Sequence, residues 1–200
     1  DTVLYAHVGG RYANIHYDND PILETAVEVH SDWGTFEWIL TDGFELGRRV
    51  GVVANSDGHK GRPGASYPGI SEFGAYGGLT CFLATQNDRD SIFEAMRRRH
   101  HYATTGCRLA MDVTGELATE GTLYLRNPDA VKDAETRPVT QMHMGDIVQT
   151  AAGRVRIHVG VHAASGIERI ELRRGAEIIE TLRPYTETDL GNRVRVMWSG

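Results

Sequence analysis

Hydrophobic positions in the first hundred residues form short apolar runs, each followed by glycine and polar residues. Because the runs are short and rich in β-branched side chains, they predict buried strands at 2–6, 27–30, 50–54 and 79–84. An apolar stripe over 90–100, preceded by Asn87 or Asp88 as a possible N-cap, predicts a helix, and residues 36–49 fit one or two helical turns. Strands that alternate with helices favour a parallel sheet or part of a barrel.

The second half has a different pattern. Residues 107–200 contain no convincing helix. Apolar and polar side chains alternate over 155–161, residues 167–179 fit a hairpin, and Val194 with Val196 indicates a last strand. The polar segment 127–138 is expected to be a surface loop. We therefore predict two domains, 1–106 and 107–200, the second an antiparallel β-sandwich.

Composition narrows the possible functions. The 200 residues are 40% hydrophobic and 24% charged, with a net charge of −6, as in an ordinary soluble globular protein. The basic residues are scattered except at 97–101, a helix end where the dipole favours cations, so we expect no nucleic-acid partner. No apolar segment is long enough to span a bilayer, so no membrane partner is expected; the compartment stays unassigned. Cys81 and Cys107 lack CxxC spacing and are expected to be free thiols.

Both ends of the sequence look like cuts. The first residues lead directly into TVLYAHVGG, and the last ones, VRVMWSG, have the pattern of a strand. We therefore expect the chain to be a fragment of a larger protein.

Candidate metal ligands follow two of the predicted strands. His7 follows the first strand, and Asp57 and His59, in SDGH, follow the strand at 50–54. The carboxyl ends of parallel strands meet at one edge, and imidazole and carboxylate are ligands that leave a position open for water. The pattern predicts a metal site of His7, Asp57 and His59, with Gly58 easing the backbone between the last two. The residues leave one alternative open, in which Asp57 caps a turn and His59 is a solvated loop residue.

Five further residues are candidates for substrate binding. Glu28 and His30 are one residue apart in a strand, so both point to one side and could line the pocket; a structural role for His30 stays open. Arg11, Lys60 and Arg62 flank the ligand motifs and could neutralise an anionic substrate, or could be surface charges. No residue is assigned as catalytic.

Five blocks of sequence follow one another in a characteristic order: AHVGGR at 6–11, VEVHSDWGTFEW at 27–38, ANSDGHKGRPG at 54–64, GGLTCFLA at 77–84 and DSIFEAMRRRHHYATTG at 90–106. Taken together, these blocks resemble the polymerase and histidinol phosphatase (PHP) superfamily. The resemblance covers about residues 1–115 and is closest to a branch whose barrel is followed by a β-rich extension. It implies a distorted barrel of seven βα units with two or three metal ions, usually zinc, manganese or iron, that hydrolyses phosphoesters.

The resemblance also implies which ligands this chain carries. His7 matches the late strand-end histidine of the superfamily, and Asp57 and His59 match its terminal Asp-x-His pair. The opening His-x-His, the next histidine and the bridging glutamate have no counterpart before His7, and Glu28 comes too late in the chain to be that glutamate. The resemblance thus implies an incomplete centre, with the N-terminal half of the barrel missing from this chain or supplied by another polypeptide.

The sequence therefore predicts an α/β fold: the C-terminal portion of a PHP-type distorted (β/α)7 barrel, followed by an antiparallel β-sandwich-like domain. The predicted function is metal-dependent hydrolysis of phosphoester or related ester bonds, with zinc, manganese or iron as cofactor and a small, phosphorylated anion as substrate. The alternative is a non-catalytic binding module, with a degenerate barrel and a sandwich that binds a glycan or a protein. Substrate identity and oligomeric state are not specified.

Overall fold

The computed structural model describes residues 2–7, 14–61, 73, 75–151 and 153–186. Of these residues, 43% are in strands and 10% in helices. In chain order the elements are β1 (Leu4–Ala6), β2 (Glu24–Ser31), β3 (Gly34–Thr35), α1 (Trp38–Glu45), β4 (Gly51–Ala54), β5 (Leu79–Phe82), α2 (Arg89–Arg97), β6 (His101–Thr104), β7 (Leu109–Tyr124), β8 (Thr136–His143), β9 (Ile147–Gln149), β10 (Val155–Ala163), β11 (Ile170–Arg174) and β12 (Glu177–Leu182).

A small mixed sheet organises the first part of the chain. Strands β1 and β4 both pair with β2 in parallel, and β3 pairs with β2 in antiparallel. Ile15, Val27 and Ile39 form a buried apolar cluster against which Val29 and Phe36 pack. Because β1, β2 and β4 run in one direction, the residues after each strand emerge at the same edge of the sheet.

The predicted (β/α)7 barrel is wrong. The described residues form small, open sheets and contain two helices, whereas such a barrel requires a helix after every strand and a closed sheet. Strand β3 ends the parallel run, and β5 pairs in antiparallel with β6 in a separate two-stranded sheet. The apolar runs correctly indicated strands. However, because these strands alternate with two helices along the chain, the sequence suggested more parallel pairing than the structure contains.

Long antiparallel strands dominate the later part of the chain. The 16-residue strand β7 pairs in antiparallel with β8 and β9, and β10 is its other neighbour in the same sheet. Strands β11 and β12 form an antiparallel hairpin. The hairpin predicted over 167–179 is thus confirmed by β11 and β12, but β10 is exposed at every position except Val161, and the predicted sandwich is corrected to a four-stranded and a two-stranded open sheet. Strand β8 begins at Thr136, inside the predicted 127–138 loop. It extends this far because Thr136 pairs with Tyr124, the last residue of β7.

Two compact units divide the chain, 1–162 and 163–200. The boundary predicted at 106/107 lies within the first unit, and the strand predicted at Val194 and Val196 lies outside the described residues. Helix α2 is capped as the sequence suggests, since the Asp88 side chain accepts a hydrogen bond from the Ser91 amide at 2.8 Å. In the part of the chain that the structure describes, neither helix is long and apolar enough to cross a membrane.

The end of α2 is fastened to the turn between β8 and β9. Asp146 Oδ1 accepts hydrogen bonds from Arg98 Nη2 at 3.0 Å and His100 Nε2 at 2.9 Å, and its Oδ2 accepts one from the His143 amide. Burial alone would raise the pKa of Asp146, but the hydrogen bonds from His100 and His143 and the charges of His100 and Arg98 lower it. The basic run that the sequence explained by the helix dipole is therefore also a structural ion-pair network.

Candidate metal centre

His7 is held by a buried carboxylate at the carboxyl edge of the parallel strands. It follows β1, and its Nδ1 lies 2.9 Å from Oε1 of Glu28, a residue of β2 that is 5% exposed. A carboxylate only accepts hydrogen bonds, so Nδ1 carries the proton in this contact. In the neutral imidazole this leaves the lone pair on Nε2, the nitrogen that faces away from Glu28.

Asp57 lies between the two predicted histidine ligands. Its Oδ2 is 3.6 Å from His7 Nε2, and its Oδ1 is 3.5 Å from His59 Nε2. The Asp57 side chain is only 14% exposed, whereas those of His7 and His59 are 52% and 62% exposed. The structure thus brings together the three residues that the sequence selected, with one carboxylate between two imidazoles.

The backbone at Asp57 has an uncommon conformation. Its φ is +52°, in the left-handed region that non-glycine residues seldom adopt. Gly58, which was expected to ease the backbone, shows no positive φ; its amide donates to Ser56 Oγ at 3.3 Å. The conformational strain therefore lies on the candidate ligand itself, as is common at functional sites.

An aromatic pair flanks His59. The rings of Trp33 and Phe73 are stacked with centroids 4.0 Å apart, and the His59 ring packs edge-on against Phe73 at 5.1 Å. Trp33 is 45% exposed, so part of its ring faces solvent. These contacts give the otherwise exposed His59 ring an apolar wall on one side.

His30 is bound on both ring nitrogens by other protein groups. Its Nε2 donates to the Tyr76 carbonyl at 2.8 Å, and its Nδ1 lies 2.8 Å from Thr35 Oγ1. The donor at Nε2 makes Nδ1 the acceptor from the threonine hydroxyl in the neutral ring. The His30 ring is thus fully hydrogen-bonded at 5% exposure, which is the structural role that the sequence left open.

The predicted cationic substrate-binding residues are placed only in part. Lys60 is exposed in the turn that follows His59. Arg11 and Arg62 lie outside the described residues. Their role in binding an anionic substrate therefore stays a prediction.

Two polar residues at this edge were not selected from the sequence. Asn55 donates from Nδ2 to Glu28 Oε2 at 2.9 Å, so it fixes the second oxygen of the carboxylate that holds His7. Asp32, at 1% exposure, follows β2, and its amide donates to the Ser56 carbonyl at 3.1 Å. The signal available for both was their position directly after a strand of the parallel sheet.

The donor set fits a divalent cation in ligand type. Bonds of about 2.1 Å in a tetrahedral site would place neighbouring ligand atoms about 3.4 Å apart, close to the two observed separations at Asp57. A carboxylate on the far nitrogen of a ligand histidine is also a common support for metal binding. However, no three His, Cys, Asp or Glu side chains of the described residues are arranged to enclose an ion. In the described arrangement His7 approaches Oδ2 of Asp57, whereas His59 approaches Oδ1.

Part of the chain matches the model of a protein family. Residues 54–174 match the family described as protein of unknown function (DUF3604). The chain belongs to this family. The span shared with DUF3604 includes Asp57 and His59 but neither His7 nor Glu28. No curated protein matches the chain, and no solved structure does either.

Proposed function

We propose that this chain contributes His7, Asp57 and His59 to a divalent-metal centre that hydrolyses phosphoester or related ester bonds. The observation that carries the proposal is the orientation of His7, whose Nδ1 is held by buried Glu28 while its Nε2 lies 3.6 Å from Asp57 Oδ2. A histidine fixed in this way presents one lone pair in one direction, which is what a metal ligand requires. The resemblance of these strand-end motifs to the PHP superfamily supports the choice of reaction.

Each side chain has a separate task in this proposal. Glu28, itself held by Asn55, keeps the His7 ring in one tautomer and one orientation. Asp57 supplies negative charge and two acceptor oxygens between the imidazoles, and Phe73 limits the rotation of His59. Lys60, with Arg11 and Arg62, would bind the oxygens of a phosphorylated substrate. A divalent cation bound at these ligands would supply activated water and polarise the ester.

The site is open rather than closed. Two imidazoles and one carboxylate leave coordination positions for water, substrate and further ligands. The exposure of His7 and His59, at 52% and 62%, means that a substrate would reach the ion from solvent. Zinc, manganese and iron all accept this mixture of nitrogen and oxygen ligands.

Metal content and phosphoesterase activity, measured on the same samples of the intact protein, test the proposal. The protein is stripped with a chelator, reloaded with Zn²⁺, Mn²⁺ or Fe²⁺, and assayed with p-nitrophenyl phosphate and bis-p-nitrophenyl phosphate. We expect bound metal and metal-dependent turnover, with Asp57→Asn losing both and Asp112→Asn, an exposed aspartate on β7, retaining both. Protein that binds no metal and shows no turnover would contradict the proposal and favour the binding module.

A further inference from the structure

The turn between β2 and β3 holds an aromatic side chain beside the candidate metal centre. Trp33 lies in this turn, directly after Asp32. The Asp32 amide donates a hydrogen bond at 3.1 Å to the carbonyl of Ser56, the residue before Asp57, and the Asp32 carbonyl accepts one from the Ala75 amide at 3.0 Å. The first of these bonds joins the two backbones one residue before Trp33 and one residue before Asp57. Trp33 is therefore held at the edge of the sheet where the candidate ligands lie.

Trp33 belongs to a group of rings that ends at a candidate ligand. The Phe73 ring stacks on the indole with centroids 4.0 Å apart and an interplanar angle of 18°. The His59 ring in turn packs edge-on against Phe73 at 5.1 Å. Trp33 is 45% exposed even with this partner. Because Phe73 covers one face of the indole, the exposed part of the ring belongs to the opposite face and the ring edges.

The polar side chains of the same turn are already engaged. Ser31 Oγ accepts a hydrogen bond from the Trp33 amide, and Thr35 Oγ1 donates its proton to His30 Nδ1. Ser31 and Asp32 are at most 1% exposed. A sugar ring on the indole would therefore find no free side-chain donor among residues 31–35 apart from the indole N–H, and hydroxyls that lose water without a partner cost free energy. The accessible surface of this turn fits a planar apolar ring better than a glycan.

We propose that the open face of Trp33 binds a planar aromatic ring carried by the alcohol part of the ester that the metal centre hydrolyses. This proposal rests on the proposed function, since the ester group lies at Asp57 and His59 while the ring lies on Trp33. Water adds to phosphorus, the bond from phosphorus to the alcohol oxygen breaks, and the aromatic alcohol leaves with a proton of that water. Stacked aromatic rings gain more than their buried area alone provides, so the site selects an aromatic ring over a saturated one.

Two phosphate monoesters that differ only in the ring test this selection. Benzyl phosphate and cyclohexylmethyl phosphate have the same charge and the same one-carbon linker, but only the first carries an aromatic ring. On the intact, zinc-loaded protein we expect kcat/KM for benzyl phosphate to be about threefold to tenfold higher. Trp33→Leu should give equal values for the two esters. Trp38→Leu changes a similarly exposed tryptophan on α1 and should keep the preference.

Zinc content, measured on the same samples, separates the failure of this proposal from that of the metal centre. Hydrolysis of both esters with equal kcat/KM, or a preference for the benzyl ester that survives in Trp33→Leu, would overturn the ring site while the metal centre stands. Protein that binds no zinc and hydrolyses neither ester would contradict the metal centre. The ring site is then decided by a binding measurement that needs no turnover.

The indole N–H signal of Trp33 in a ¹⁵N–¹H spectrum of the intact protein gives this binding measurement. The probe is benzylphosphonate, which has no ester bond to hydrolyse and whose stacked ring shifts the indole proton upfield. We expect it to move the Trp33 signal, identified by its absence from Trp33→Leu, and to leave the Trp38 signal in place. Cyclohexylmethylphosphonate, which has no ring current, should move the Trp33 signal far less. A Trp33 signal that benzylphosphonate does not move would overturn the ring site, whatever the result of the hydrolysis assay.

Discussion

His7, directly after β1, and Glu28, on the neighbouring parallel strand β2, form a contact of 2.9 Å between an exposed imidazole and a buried carboxylate. The carboxylate is 7% exposed at its side chain and has its other oxygen bound by Asn55. Glu28 is therefore held in place and in turn orients the exposed imidazole of His7. This role follows from hydrogen bonding alone, whatever the nature of the ligand at Nε2.

The first prediction concerns Glu28→Gln, which keeps the shape of the side chain and removes its charge. We expect the affinity for Zn²⁺ to fall by about 10-fold to 100-fold, because the support of a ligand histidine raises its basicity and fixes its tautomer. Competition with a chromophoric chelator measures the affinity. Glu120→Gln, at an exposed position of β7, is the matched control and should leave it unchanged. If Glu28→Gln bound Zn²⁺ as tightly as wild type, the argument that Glu28 orients His7 as a metal ligand would be contradicted.

The second prediction is a loss of stability in mild acid caused by His101. Burial lowers the pKa of His101 from 6.5 to about 4. Between these values the unfolded chain binds a proton that the folded chain does not, so stability falls as the pH decreases from about 6.5 to 4, by roughly 1.4 kcal/mol per pH unit at most.

Urea unfolding at pH 7 and pH 5 measures this contribution of His101. His101→Phe should show a smaller difference between the two pH values than wild type, even if it is less stable at both. His162→Phe, at an exposed position of β10, should keep the wild-type difference. The same slope in His101→Phe as in wild type would contradict a buried neutral imidazole.

The third prediction concerns the ion pairs that fasten α2. Asp146→Asn leaves the Arg98 guanidinium and the His100 imidazole without their carboxylate acceptor, and should lower the free energy of unfolding at pH 7 by about 3 kcal/mol. Because the pKa of Asp146 is lowered in the folded state, its contribution is present above about pH 4 and disappears as the pH falls further. Asp112→Asn is the control in chemical denaturation. A loss no larger than that of the control would mean that the network is dispensable.

The fourth prediction concerns the close packing of Gly78. A Cβ at Gly78 would lie 2.4 Å from the Ala54 Cβ and 2.9 Å from His30 Cδ2. Ala54 on β4 and the His30 ring on β2 would therefore have to move. We expect Gly78→Ala to destabilise the fold by about 1–3 kcal/mol. At Gly166 nothing lies within 4 Å of the added Cβ, so Gly166→Ala should unfold at nearly the wild-type temperature. Equal melting temperatures for the two variants would contradict this packing.

Local pattern was sufficient for several elements and for the three candidate ligands. The runs at 50–54 and 79–84 correspond to β4 and β5, and the Asp88 cap marks the start of α2. His7 and Asp57 could be selected together because a parallel sheet brings strand ends to one edge, and this depends only on strand direction. The short parallel sheet was thus within reach of sequence reasoning, although a closed barrel does not follow from it.

Long-range pairing limited the rest of the prediction. The contact of Glu28 with Asn55 and His7 joins three separate strands, and no spacing along the chain reveals it. Asp146 and Arg98 are likewise far apart in the sequence, and they form their hydrogen bond only because the turn between β8 and β9 packs against the end of α2. The start of β8 was missed for the same reason. Residues 136–138 are polar and were predicted as a loop, but their pairing with β7 makes them part of a strand.

The zinc-edge X-ray absorption spectrum of the zinc-loaded chain tests the central claim most directly, because it reports the atoms bound to the ion. We expect nitrogen and oxygen neighbours at about 2.0–2.1 Å with the outer-shell scattering of two imidazoles. His59→Ala should remove the contribution of one imidazole, and His162→Ala should remove none. Zinc bound without imidazole scattering, or a spectrum unaffected by His59→Ala, would contradict a metal centre formed by His7, Asp57 and His59.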